Sequence, residues 1–184
     1  MRLFAAVPLP NEAVPSAVGT LKKLGNEGWP VRWVHEENLH LTLKFFGEVT
    51  PDRLDTITEM LGFAVEGMHP MTMSIRGAGV FPHANRPRVI RLDLEAEPEL
   101  ELLQDRIERG GERIGFPPEG RPFHPHITLG RVREGHRLPP NALELLEGVS
   151  PQPAFLATKI VLFESELGPG GPRYAARTEY QLGR

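Results

Sequence analysis

Apolar residues recur at helical spacing in four parts of the chain. Residues 11–26 carry such a stripe, and Asn11 is its expected N-cap. Similar stripes begin after Thr50-Pro51-Asp52 and run through 97–114, and a shorter one covers 140–147. These patterns predict four helices.

Extended segments alternate with these helices. Some are short apolar runs, and others alternate apolar with polar residues, as strands in a sheet do. The predicted strands span residues 2–7, 31–34, 39–46, 71–77, 88–94, 123–132, 155–163 and 174–182. A Gly- and Pro-rich region between the fourth and the fifth is predicted as a turn. The order predicts an α+β fold of two similar lobes, each a small, mainly antiparallel sheet with helices packed outside.

Two of the predicted strands contain the same short motif. Residues 38–49 read NLHLTLKFFGEV and residues 124–132 read HPHITLGRV, so His, an aliphatic residue, Thr and Leu occur twice in that order. The two copies lie too far apart for a solenoid repeat and fit two pseudo-symmetric lobes. We therefore predict a single bilobal domain over 1–184, with one motif from each lobe at a central cleft.

Within each motif the His and Thr side chains share one strand face, because residues i and i+2 point the same way, about 6.6 Å apart. His40 points with Thr42, and His126 points with Thr128. The same alternation places Phe46 on the face of His40. If the lobes face each other, two imidazoles and two hydroxyls converge on one cleft.

These residue types suit acid/base chemistry at phosphorus. An imidazole has an unperturbed pKa near 6.5, so that a pair can hold one neutral and one protonated ring near neutral pH. One ring can activate a nucleophile on one side of the reacting atom while the other protonates the leaving group. The hydroxyls can donate hydrogen bonds to the non-bridging oxygens.

Other interpretations of the motif stay open from the residues alone. A solvent-facing strand would also place His and Thr on one face and aliphatic residues on the other. A metal site is an alternative because His124 and His126 share a face, but no carboxylate or cysteine lies in that segment to complete a ligand set. We expect no metal and no other cofactor. The chain has no G-x-S-x-G nucleophile turn, Walker loop or dinucleotide-binding glycine loop.

Composition narrows the class of protein further. With 184 residues, 40% of them hydrophobic and 24% charged, the chain is predicted to fold as a globular protein. A net charge of −3 argues against nonspecific coating of long nucleic acid. The absence of cysteine excludes cysteine nucleophiles and thiolate metal sites. The apolar start ends at Pro8, too early for a signal peptide or a membrane span. We expect a cytoplasmic monomer that does not bind membranes.

The motifs HLTLKFFGEV and RPFHPHITLGRV resemble those of the two-histidine phosphoesterase superfamily. The opening MRLFAAVPLP, the Asn-Leu before His40, the G-x-G-x-F-P at 77–82 and the P-F-x-P-H at 122–126 are similar to the RNA 2',3'-cyclic phosphodiesterases, also called 2'-5' RNA ligases. The resemblance implies a bilobal α+β fold and metal-independent hydrolysis of RNA-terminal 2',3'-cyclic phosphate to a 2'-phosphate. It also implies a weak, reversible 2'-5' joining of RNA ends.

The resemblance implies roles for four residues. His40 and His126 would be the catalytic pair, and Thr42 and Thr128 would orient the phosphate. RNA ends bearing 2',3'-cyclic phosphate, tRNA fragments among them, would be the substrate.

Three further residues are candidates for the same cleft. Arg131 suits phosphate binding, although it is equally well explained as a charge at the end of a strand. Phe46 and Tyr174 are candidates for stacking on a base, and Phe46 has packing at a lobe edge as its alternative. Two rival functions remain: an RNA-binding module that holds terminal phosphates without turnover, and a phosphodiesterase of small cyclic nucleotides or 2'-5' oligonucleotides.

Overall fold

The computed structural model describes residues 1–169 and 171–183. Over these residues the chain forms nine strands and four α-helices. The strands are β1 Arg2–Pro8, β2 Val31–Trp33, β3 His40–Glu48, β4 Met71–His83, β5 Arg86–Ala96, β6 His126–Val132, β7 Phe155–Ala157, β8 Lys159–Gly168 and β9 Gly171–Gln181. The helices are α1 Val14–Gly25, α2 Leu54–Val65, α3 Glu99–Arg113 and α4 Ala142–Glu147. No helix of the described chain is long and apolar enough to cross a membrane.

These strands form one antiparallel sheet with the order β7-β4-β5-β6-β3-β1-β8-β9, and β2 pairs with β6. Apart from β2, the sheet consists of two half-sheets of four strands, one ending in β3 and the other in β6. They join where Leu41 of β3 pairs with Ile127 of β6. The predicted α+β class with mainly antiparallel strands is therefore confirmed, and the two motif strands are neighbours at the centre of the sheet.

The structure corrects three local predictions. The strand predicted at 155–163 is two strands, since β7 pairs with β4 of one half-sheet and β8 pairs with β1 of the other. The region predicted as a turn between 77 and 88 is mostly a β-hairpin, since β4 continues to His83 and β5 begins at Arg86, with Pro82 paired to Pro87. Asn11 does not cap α1, whose N-cap is Ala13, without a side-chain hydrogen bond.

Helices cover the face of the sheet opposite the motif histidines. The aliphatic residues of the motifs are almost fully buried there, as Leu41 and Ile127 show with 2% and 1% exposure. They belong to one hydrophobic core that includes Ile57 of α2 and Leu103 of α3. Burial of these motif residues stabilises the fold and fixes which face His and Thr present.

A buried ion pair ties α3 to β3 behind the site. The Lys44 Nζ donates to Glu108 Oε2 at 2.7 Å and to the Pro117 carbonyl at 3.0 Å, and the Lys44 side chain is 1% exposed. The helix approaches closely at Gly111, where a Cβ would lie 2.6 Å from Lys44 Cε. A buried ammonium needs such partners because its desolvation is costly.

Replacing Glu108 by Gln should lower the free energy of unfolding by about 3 kcal/mol, because the buried ammonium of Lys44 loses its counter-charge. Chemical denaturation of wild type and variant measures this loss. A Lys44→Met/Glu108→Gln double variant should recover at least half of it, since no buried charge remains. A single variant as stable as wild type would contradict this account of the ion pair.

Candidate active site

Strand β3 contains a bulge at Leu43, the last residue of its motif. Ala6 of β1 pairs with Thr42 and Ala5 pairs with Lys44, so Leu43 has no partner of its own. An extra residue in one strand reverses the side-chain alternation beyond it. Lys44 is therefore buried although it lies two residues after Thr42.

Strand β6 contains the same bulge at the same place. Arg91 of β5 pairs with Thr128 and Ile90 pairs with Gly130, so Leu129 is the extra residue. The burial pattern of the seven residues from each motif histidine is identical in the two strands. A Cβ at Gly130 would lie 2.5 Å from Val31 Cγ1, so the glycine after the extra residue lets β2 pack closely.

The bulges decide which residues follow the motifs into the cleft. The expectation that Phe46 shares the face of His40 is wrong: Phe46 is 7% exposed and packs edge-on against Phe116, with ring centroids 5.2 Å apart. Phe45, which is 50% exposed, takes the cleft side instead. Arg131 lies five residues after its histidine, as Phe45 does, and is likewise on the cleft face and exposed.

The antiparallel register brings the two motifs together as a crossed pair. Because Leu41 pairs with Ile127, extending the register by one residue in each direction sets His40 across from Thr128 and Thr42 across from His126. All four side chains are partly exposed. The backbone pairing therefore places the two imidazoles and the two hydroxyls next to one another, as the convergence expected from the sequence requires.

Each imidazole is oriented by the carbonyl two residues before it. His40 Nδ1 lies 2.7 Å from the Asn38 oxygen, and His126 Nδ1 lies 2.7 Å from the His124 oxygen. A carbonyl only accepts hydrogen bonds, so Nδ1 carries the proton in both rings and Nε2 is left for chemistry. In the neutral His40 ring, Nε2 accepts from the Thr42 hydroxyl at 3.0 Å.

Both motif histidines are biased toward the neutral form. Burial lowers the pKa of His40, with the hydrogen bond to Asn38 opposing it and the charge of His126 adding to it. Burial also lowers the pKa of His126. The main-chain bond to His124 opposes that shift, the charges of Arg91 and His124 add to it, and Asp93 counteracts it.

Aromatic rings surround His40. The Phe4 ring lies 4.9 Å from the His40 ring, and Tyr174 meets it edge-on at 5.4 Å. Phe163 stacks on Phe4 at 5.4 Å, and Phe45 lies 5.5 Å from Phe4 on the exposed side. This aromatic wall comes from four strands, β1, β3, β8 and β9.

Tyr174 reaches this wall because the start of β9 is held beside the first motif. The buried Asn38 side chain donates from Nδ2 to the Pro172 carbonyl at 2.8 Å. Burial raises the pKa of Tyr174, against the charges of Arg131 and Arg2, so its hydroxyl stays protonated at neutral pH. Arg131 and Tyr174, both candidates from the sequence, therefore lie close enough for the Arg131 charge to act on the Tyr174 hydroxyl.

Charged groups surround His126 instead. Asp93 Oδ1 accepts from Arg91 Nε at 2.6 Å and lies 3.1 Å from His124 Nε2. The Arg91 guanidinium lies 3.6 Å above the Phe81 ring, which in turn contacts His126 at 5.1 Å. The fold thus places beside His124 a carboxylate that its own segment lacks. Among the described residues no three His, Cys, Asp or Glu side chains are grouped to hold a metal ion.

The chain resembles known proteins over almost its whole length. A family model of the 2'-5' RNA ligase superfamily matches residues 11–169. The chain belongs to this superfamily. An RNA 2',3'-cyclic phosphodiesterase of Thermotoga maritima is 34% identical over 99% of this chain and 96% of its own, and one of Methanothermobacter thermautotrophicus is 36% identical over 99% of each chain.

Solved structures agree with this membership, and the resemblance inferred from the paired motifs is confirmed. A crystal structure of a Thermus thermophilus protein has a TM-score of 0.82 and 30% identity, covering 99% of this chain and 98% of that one. E. coli LigT crystallised with 3'-AMP has a TM-score of 0.78 and 28% identity, covering 100% and 98%.

For this superfamily member we expect both motif histidines to titrate below pH 6.5 in the free protein, because burial disfavours their charged forms. NMR titration of the ring C–H signals, assigned with His40→Gln and His126→Gln variants, measures the midpoints. Inorganic phosphate should raise both midpoints, since an anion in the cleft favours the imidazolium. Midpoints above 6.5 in the free protein would contradict the lowered pKa values.

The bulge in β3 predicts opposite effects at neighbouring phenylalanines. Phe46→Ala should lower the free energy of unfolding by about 3 to 5 kcal/mol, because it empties a core site. Phe45→Ala should cost about 1 kcal/mol or less, because half of that side chain is already in water. Denaturant unfolding of the two variants is the measurement. A larger loss for Phe45→Ala than for Phe46→Ala would mean that alternation continues without a bulge, and equal losses would contradict the burial difference between the two rings.

Proposed function

We propose that this protein hydrolyses RNA-terminal 2',3'-cyclic phosphate to a 2'-phosphomonoester by two-histidine acid/base catalysis, with reversible 2'-5' RNA ligation as an accompanying reaction. The observation that carries this proposal is the repeated orientation of His40 and His126. Each ring is held by the carbonyl two residues before it, and each leaves Nε2 for proton transfer. A binding surface needs hydrogen-bond donors, but not two matched imidazoles on adjacent strands.

The proposed reaction divides two proton transfers between the two imidazoles. A neutral ring takes a proton from water while the water oxygen forms its bond to phosphorus. A protonated ring gives its proton to the departing 3' oxygen as the bond between phosphorus and that oxygen breaks. Ligation runs the same transfers with the 5'-hydroxyl of a second RNA in place of water. No metal is needed, because imidazoles supply both proton transfers.

The hydroxyls and the guanidinium of the cleft suit the phosphate. Thr42 and Thr128 lie across from the opposite histidine, where a hydroxyl can donate to a non-bridging oxygen. Arg131 adds a permanent positive charge on the same face. These interactions stabilise the negative charge that builds up on the phosphate oxygens in the transition state.

The aromatic wall beside His40 suits a nucleobase. Within it Tyr174 is partly exposed and Phe45 is exposed, and aromatic rings stack on unpaired bases without needing a particular sequence. We assign to Phe45 the stacking role that simple alternation assigned to Phe46. The names of the T. maritima and M. thermautotrophicus relatives and the 3'-AMP bound to E. coli LigT support a nucleotide substrate.

Chelator-treated protein should convert a short RNA ending in 2',3'-cyclic phosphate to the 2'-phosphate. His40→Ala and His126→Ala should each lower kcat by about 1,000-fold or more, because each removes one of the two proton transfers. Thr42→Val and Thr128→Val should lower kcat/KM by about 10- to 100-fold, since each removes one donor to the phosphate. Product analysis by mass spectrometry and chromatography fixes the position of the phosphate.

A His69→Ala variant is the matched control, because His69 is exposed and lies outside both motifs. It should keep wild-type activity. Tight binding of the cyclic phosphate end without turnover in wild type would favour a binding module. Turnover that appears only after metal is restored would overturn the two-histidine mechanism.

A further inference from the structure

A second cleft, of about 560 Å³, lies where the pairing of β5 with β6 ends. We call it the basic cleft. Neither motif histidine lines it, and among the described residues no carboxylate does. Its lining consists of Asn85, Arg86, Pro87, Arg88, Gly135, His136 and Arg137.

The arginines of the basic cleft have no carboxylate partner within the described residues. Some other exposed arginines are paired with a carboxylate: Arg76 contacts Glu95 at 3.0 Å, and Arg177 contacts Glu164 at 3.5 Å. The whole chain carries a net charge of −3. Three unneutralised guanidinium groups in one cleft of an acidic protein create a local positive potential that attracts anions.

Strand β5 connects the active site to the basic cleft. Arg91 pairs with Thr128 of the second motif, and the strand runs from there back to Arg88 and Arg86. At about 3.3 Å per residue, the backbone of Arg88 lies about 10 Å and that of Arg86 about 16 Å from the active site. A single phosphate at the histidines cannot reach these side chains.

Along the chain, Arg131 lies between Thr128 of the second motif and Arg137 of the basic cleft. Arg131 pairs with Val89 on one side and with Arg32 of β2 on the other. Directly paired residues of antiparallel strands project from the same face, so Arg32 and Arg131 point together toward the cleft side. Neither has a carboxylate partner in the described chain.

This arrangement fits an extended polyanion. The positive charges are distributed over more than about 10 Å along one strand instead of converging on one point. The guanidinium group suits repeated phosphates, because it donates to two oxygens at once and never loses its charge. Single-stranded RNA supplies regularly spaced phosphates, and a groove of cations following its backbone is a common way to bind it.

We propose that the basic cleft binds backbone phosphates of the RNA strand a few nucleotides upstream of the reacting end, with Arg131 and Arg32 contacting the strand in between. This inference rests on the proposed function. The cleft makes the enzyme favour RNA ends over mononucleotide cyclic phosphates, because only a longer strand reaches it. Binding through it weakens with salt, since each phosphate contact releases counterions.

The test compares two substrates, adenosine 2',3'-cyclic phosphate and an RNA of about eight nucleotides ending in 2',3'-cyclic phosphate. In an Arg86→Gln/Arg137→Gln variant, kcat/KM for the RNA should fall about tenfold at about 50 mM salt, mainly through KM. Turnover of the mononucleotide, which is too short for the cleft, should keep the wild-type rate. The slope of log kcat/KM against log salt should become shallower by about 1.4 for the RNA, at about 0.7 per lost phosphate contact.

An Arg109→Gln/Arg113→Gln variant is the charge-matched control, because it removes two guanidinium groups from a different cleft, between α2 and α3. It should leave both substrates and both salt slopes unchanged. An equal effect of the two double variants, or an equal loss on both substrates, would overturn the assignment of the basic cleft. If wild type turns over neither substrate, the proposed function itself is wrong; turnover of both with no change in the Arg86/Arg137 variant contradicts the basic cleft alone.

Discussion

The geometry of the candidate active site depends on one backbone pairing, that of Leu41 in β3 with Ile127 in β6. The two side chains point into the common core, where they are almost fully buried, so the pairing is stabilised by packing on the far side of the sheet. The residues on either side of this pair are the motif His and Thr residues. Hydrophobic burial on one face thus positions polar chemistry on the other.

The two histidines are placed symmetrically but in different surroundings. Their hydrogen bonds to the main chain are equivalent, and the bulges after them are equivalent as well. Around them, His40 has the rings of Phe4 and Tyr174, whereas His126 has the Phe81 ring together with the charges of Arg91 and Asp93. Under the proposed function this difference gives the cleft a side that suits a base and a side that suits phosphates. Arg131 lies on the phosphate side, from which the proposed RNA path leads to the basic cleft.

The local regularities of the sequence predicted the fold class and the four helices, since amphipathic periodicity reflects burial of one face. The predictions from local pattern were wrong where long-range strand pairing decides the local structure. The segment around Thr158 was predicted as one strand because its apolar run is nearly continuous, yet its two ends pair with different half-sheets. Phe46 was misplaced because alternation by two assumes a regular strand, and the bulge at Leu43 breaks it. The second motif could have indicated the correct residue, because Arg131 and Phe45 occupy the same position after their histidines.

The sequence by itself indicated the candidate chemistry and the superfamily to which the chain belongs, because two copies of H-x-T-L place His and Thr together on one strand face. Only the tertiary structure decided what surrounds that site. Phe163, Arg91 and Asp93 come from strands distant in sequence, and nothing in their own segments marks them. Phe4 lies in the opening MRLFAAVPLP, but only the fold places its ring beside His40. The local pattern of apolar and polar residues determines which side chains of a strand face the core. Which strands lie beside it follows from sheet order and register, and these depend on contacts across the whole chain.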